Sequence, residues 1–180
     1  MFRLRTVDRL PEPGSLATHK GTVVHGVLER LYDLPASDRR PETALDLLPS
    51  QWESHREKNP EVMELFEDSA GVESWLDEAR GLIRTYFTLE NPQRLEPAER
   101  ELFVQTETGD GLLLRGFVDR LDVAPDGAMR VVDYKTGRSP GTRFMEEALF
   151  QMRFYALVLW RLRGRAPARL QLVYLKDGRV

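Results

Sequence analysis

A chain of 180 residues and 20.8 kDa suits one domain with a hydrophobic core and room for a helical insertion. At 41% hydrophobic and 31% charged residues, the composition is that of a soluble globular protein, with no apolar run near the ~18 residues a membrane-spanning helix needs. Cysteine is absent, which excludes disulfides, thiolate metal sites and cysteine nucleophiles within the chain. The opening "MFRLRTVDRLPEPG" has no apolar h-region, so it is not a signal peptide, and a cytoplasmic location is the default expectation. The net charge of −3 is unevenly spread: residues 130–180 hold 11 Lys/Arg against 4 Asp/Glu, and residues 1–129 hold 15 against 25. Such asymmetry hints at a polyanion met by the basic part, although solvated helix faces and a basic tail explain it as simply.

The first predicted element is a helix over Thr18 to Pro35, with Val24, Val27, Leu28 and Leu31 as its stripe and Pro35 as its stop. Residues 36–95 read as an acidic helical insertion of two or three helices. Its predicted core is Trp52, Leu65, Phe66, Trp75, Leu76, Ile83, Tyr86 and Phe87. Two strands follow, Arg100 to Glu107 and Leu112 to Ala124, joined by the Gly-rich "TGDG". After the turn "PDGA" comes a third strand, Met129 to Lys135. A helix from about Phe144 to Arg163 then packs through Leu149, Met152, Tyr155, Ala156 and Leu159, and a last strand covers Arg169 to Gly178. The order α, helical insertion, β, β, β, α, β is that of an α/β protein with a mixed sheet in a single domain over 1–180.

Chemistry concentrates at the ends of two strands. In "VVDYKTG", strand alternation sends Asp133 and Lys135 to one face. In "GFVDRLDV", the same alternation sets Asp119 among Phe117, Leu121 and Val123, where a buried carboxylate is costly without a partner. Two neighbouring buried anions repel, and a divalent cation with a preference for hard oxygen ligands, such as Mg²⁺, resolves the conflict. By itself Asp119 reads more readily as a structural carboxylate paired with Arg115 or Arg120. His25 lies at the border of the first apolar stripe, where a satisfied core histidine is the plainer reading; His19 and His55 carry no role. Gln151 and Tyr155, four residues apart, share a helix face.

In their order, "GTVVHGVLERL", "GFVDRLDV", "VVDYKTG" and "QMRFY" resemble the RecB-like nucleases of the PD-(D/E)XK superfamily, over almost the whole chain. The resemblance implies a restriction-endonuclease-like core and a metal-dependent DNA exonuclease of repair or recombination. It implies that His25, Asp119, Asp133 and the carbonyl of Tyr134 ligate Mg²⁺ or Mn²⁺, with Lys135 at the attacking water and the phosphate. Gln151 and Tyr155 would occupy the family's Q-x-x-x-Y positions and contact DNA or brace the site. Arg138, Arg143 and Arg153 are then placed to meet backbone phosphates. A helicase subunit or domain is an implied partner, and a nuclease-fold module that binds DNA or a helicase without cutting is the alternative. Many relatives hold an iron–sulfur cluster on one cysteine before the first helix and three near the C-terminus. No such cluster can form on a chain without cysteine, and the expectation is a truncated form.

Overall fold

The computed structural model describes residues 14–107, 111, 113–139, 141 and 145–180. The elements are α1 (Leu16–Leu31), α2 (Pro41–Lys58), α3 (Ser69–Leu89), β1 (Glu99–Glu107), β2 (Leu113–Val123), β3 (Met129–Lys135), α4 (Met145–Arg163) and β4 (Arg169–Tyr174). Short 3-10 turns fall at Ala36–Asp38, Pro60–Leu65 and Pro92–Arg94. The four strands form one sheet in the order β1-β2-β3-β4. β1 with β2, and β2 with β3, are antiparallel. β4 advances in step with β3, from the Ala168 N–H on the Met129 carbonyl to the Leu175 N–H on that of Lys135, so the sheet is mixed. This is the α/β architecture that the order of sequence patterns predicts. No helix among the described residues is long and apolar enough to cross a membrane.

The chain divides into two compact units. The first holds 97–133 and 140–172, and the second holds 14–96, 134–139 and 173–180.

In the first unit, the core joins Val104, Val118, Leu121, Met129 and Val131 of the strands to Met152, Tyr155, Val158 and Leu159 of α4. Val158 belongs to this core and Leu149 does not: Leu149 is exposed, which corrects the predicted packing stripe of that helix. Helical periodicity alone allows a stripe to rotate by one position along so apolar a helix, and only packing fixes it. Gly116 of β2 lets α4 approach: a Cβ there would lie 3.1 and 3.2 Å from ring atoms of Tyr155 and Phe154.

In the second unit, α1 starts at Ser15, whose hydroxyl accepts from the Thr18 N–H and so caps the first turn. Val24, Val27, Leu28 and Leu31 are fully buried, as their spacing requires. Trp52, Trp75, Ile83 and Tyr86 are buried core. Leu65 is exposed and Phe66 half-buried, because they lie at the end of a 3-10 turn that follows no 3.6 period, and Leu76 and Phe87 of α3 are half-buried. Arg39 is a buried structural cation that donates to the carbonyls of Leu34 and Leu95 and pairs with Glu96. After β4 the chain turns back through Gly178 (φ 62°), and Tyr174 and Arg179 close the turn with two backbone hydrogen bonds.

Candidate active site

The first unit gathers carboxylates across three strands. The β1–β2 register pairs Arg100 with Arg120 and Leu102 with Val118, which sets Glu101 directly across from Asp119. An oxygen of each lies within 4.8 Å of the other. Glu101 has φ 44°, a left-handed backbone that a residue with a Cβ holds only at a cost of ~1–3 kcal/mol. The β2–β3 register pairs Arg120 with Val132, and the next position along β3 is Asp133, which is buried. Glu101, Asp119 and Asp133 thus form a row running across the strands.

Strict alternation along β2 stops at this row. Val118 and Leu121 are three residues apart, yet both belong to the core under α4. Asp119 is therefore not set among Phe117, Leu121 and Val123 as expected: Leu121 is buried, while Phe117 and Val123 are exposed. Across the rung, the backbone at Glu101 is left-handed.

α4 lies beside this row. Gln151 and Tyr155, one helical turn apart, are joined by a 3.0 Å hydrogen bond from the amide to the phenol oxygen. Burial pushes the Tyr155 phenol up to about 12, and the negative charges of Asp133, Asp119 and Glu101 act in the same direction. The Gln151 bond opposes them only in part. Tyr155 is therefore a neutral hydroxyl at any physiological pH, in the field of all three carboxylates.

Asp122 and Arg120 lie on the face of β2 opposite to Leu121. The Arg120 guanidinium, 1% exposed, sits 3.1 Å from Asp122, and Arg130 reaches the same carboxylate at 2.7 Å. Arg120 is therefore a partner of Asp122. Arg115 stands opposite Gln105 in the register.

The second unit holds the other predicted groups. Nε2 of His25 lies 2.9 Å from the carbonyl oxygen of Tyr134. The Tyr134 ring is fixed edge-on against His25 and Tyr86, at centroid distances of 6.1 and 5.8 Å. Lys135 is half-buried at the end of β3, and its carbonyl accepts from Leu175 at 2.8 Å. Beyond it, Arg138 is exposed, and Ser139 anchors the loop by donating its N–H and hydroxyl to Asp177. Those two bonds hold the Asp177 carboxyl below its usual range. Arg153 is exposed on α4, and Arg143 lies outside the described residues.

Two features escape the sequence reading. Glu101 emerges only when "RELFVQTE" is counted back from the hairpin, with Glu107 opposite Leu113. His19 and His55 are joined ring nitrogen to ring nitrogen at 2.8 Å.

The donor set suits a hard divalent cation. Carboxylates this close repel by on the order of 3 kcal/mol at an effective dielectric near 20, unless a proton or cation lies between them. Carboxylate oxygens are ligands that Mg²⁺ and Mn²⁺ accept.

Comparison with known proteins gives the same direction. "Gene 69 protein" of Mycobacterium phage D29 is 44% identical over 59 residues, which cover 33% of this chain and 19% of the phage protein. An "ATP-dependent helicase/deoxyribonuclease" subunit of Streptococcus pyogenes serotype M49 (strain NZ131) is 27% identical over 120 residues, 66% of this chain and 11% of that protein. The proteins of the same name from serotypes M4 and M1 match to the same extent. The chain thus spans between about a tenth and a fifth of the length of these relatives. The family model for the PD-(D/E)XK nuclease superfamily matches residues 1–180, and the chain belongs to that superfamily.

Proposed function

We propose that the chain is a metal-dependent deoxyribonuclease that hydrolyses phosphodiester bonds from DNA ends, in repair or recombination. The observation that carries this reading is the row Glu101, Asp119 and Asp133 beside Tyr155, within a member of a nuclease superfamily. Asp119 and Asp133, with His25 and the Tyr134 carbonyl, would hold Mg²⁺ or Mn²⁺, and Glu101 adds a carboxylate to that set. When bound, such a cation supplies positive charge at the phosphate and so lowers the barrier to attack by water.

The residues of the chain do the rest. Lys135 follows the acidic strand end with a fixed ammonium, which offsets the charge that develops on the phosphoryl oxygens. Gln151 orients the Tyr155 phenol, and Tyr155, neutral at working pH, donates a hydrogen bond without adding charge. Arg138, Arg143 and Arg153 engage backbone phosphates, which positions DNA without reading its sequence. The streptococcal relatives are named as helicase/deoxyribonuclease subunits, and this supports a helicase subunit or domain as partner.

The test is digestion of end-labelled single- and double-stranded DNA with Mg²⁺ or Mn²⁺, against EDTA, for the parent and Lys135→Ala. Mononucleotide or short products that need the metal, and a loss of at least ~10²-fold in Lys135→Ala, are expected. DNA binding without cleavage at any metal concentration would overturn the enzymatic reading.

A further inference from the structure

The β1–β2 pair carries two aromatic rings that the fold leaves in water. Phe103 and Phe117 stand directly opposite each other in the register, with centroids 5.1 Å apart and planes tilted by 52°. They are 50% and 44% exposed. Their neighbours Val104, Gly116 and Val118 pack under α4, so the rings occupy the face turned away from that helix. The Glu101–Asp119 rung lies two positions further along the same strands, roughly 6.7 Å away. β1 is one of the two outer strands of the four described. On the far side of the rings the next rung of that face is Gln105 with Arg115, which is also exposed.

We infer that Phe103 and Phe117 form a stacking platform for an unpaired nucleobase of the strand to be cut. This rests on the nuclease reading and adds the residues that would hold a base beside the site. Phenylalanine offers a π-face and no hydrogen-bonding group, so it holds any base by stacking and reads no sequence. Bases of an intact duplex are already stacked on their neighbours and cannot lie on the rings; unpaired ones can. Arg115 places a cation beside the rings, opposite in sign to the phosphates that flank a stacked base. Two exposed phenylalanines near a charged site otherwise cost solubility for no structural return.

The experiment measures binding of the full chain in EDTA, where nothing is cut, by fluorescence anisotropy. The ligands are a labelled oligothymidylate, the same oligomer with its terminal nucleotides abasic, and a blunt hairpin duplex. Phe103→Ala/Phe117→Ala is expected to bind oligothymidylate about tenfold or more weakly, the scale of one lost stacking contact, with duplex binding unchanged. The abasic oligomer should bind the parent more weakly by a similar factor and the double variant no more weakly than intact oligomer. Equal binding of intact and abasic oligomer by the parent overturns the inference, and this arm does not depend on the variant folding. Parent-like affinity in the variant overturns it too, and leaves the rings as a docking face for protein. If the parent cuts DNA but neither substitution nor abasic end matters, the platform fails and the nuclease stands. If stacking is confirmed in a chain that never cleaves, the reverse holds.

Discussion

At the scale of residues, Asp119 and Asp122 are three positions apart on one strand and have opposite tasks. Asp122 neutralises Arg120, a guanidinium 1% exposed, so Asp122→Asn leaves a buried cation short of its charge partner. Breaking such pairs costs ~3–5 kcal/mol, and the partial exposure of Asp122 and the retained amide oxygen put this case at the lower end. Asp119 instead faces Glu101, and Asp119→Asn removes the repulsion between them. We expect Asp122→Asn to unfold at clearly lower urea while each folded molecule keeps its activity. Asp119→Asn should be as stable as the parent or more so, with turnover down at least ~10²-fold. Equal loss of activity in both would mean that the Asp122 face of β2 serves the site as well. The carboxylates of β2 and β3 were legible because an acid inside an apolar strand calls for a partner. Glu101 was not, since its place depends on a cross-strand register and on a φ of 44° that a glutamate does not announce. The same break in alternation is why Phe117 could not be read as exposed.

At the scale of elements, most strand and helix spans were legible within a few residues because their periods differ. What each helix packs against was less so. α4 is apolar on several sides, and its contact with β2 depends on the missing Cβ of Gly116. That close contact buries Tyr155, and the consequence is a pH dependence. The Tyr155 phenol lies at about 12 in the fold, against about 10 in the unfolded chain. A raised acid contributes stability that is complete below pH 10 and is lost as pH rises from there toward 12. Tyr155→Phe should flatten the fall in urea stability over that window, and the activity–pH profile should show no limb from this phenol below about pH 10. The joint of α1 and α2 behaves in the opposite sense. Burial is the main reason that His55 lies below its ordinary value, followed by His19, with Lys58 adding and Glu61 opposing. Its neutral ring is favoured in the fold, so the stability it contributes is present above pH 6.5 and is lost as pH falls through its depressed pKa. His55→Gln should weaken the acid-side loss of melting temperature; an unchanged acid limb would mean that the histidine pair is not what titrates.

For the whole molecule, the surplus of 11 Lys/Arg over 4 Asp/Glu in residues 130–180 overstates what a polyanion would meet, because the basic residues are not all available. In the 130–180 stretch Arg130 is held by Asp122 and Arg163 by Glu99, while Arg161 and Arg165 donate to the carbonyls of Glu107 and Asp126. Those four tie the fold together. Arg138 and Arg153 are exposed, and they are the cations proposed to meet phosphates. Each phosphate neutralised releases counterions, so the logarithm of the DNA affinity should fall linearly with that of the salt concentration. Arg138→Gln and Arg153→Gln should each reduce that slope by about one, in EDTA and for single strands and duplexes alike. Arg165→Gln, which removes a fold-tying contact instead, should lower thermal stability and leave the slope unchanged. A slope that shifts equally for all three would mean that DNA senses the overall charge of the basic stretch and not Arg138 and Arg153 in particular.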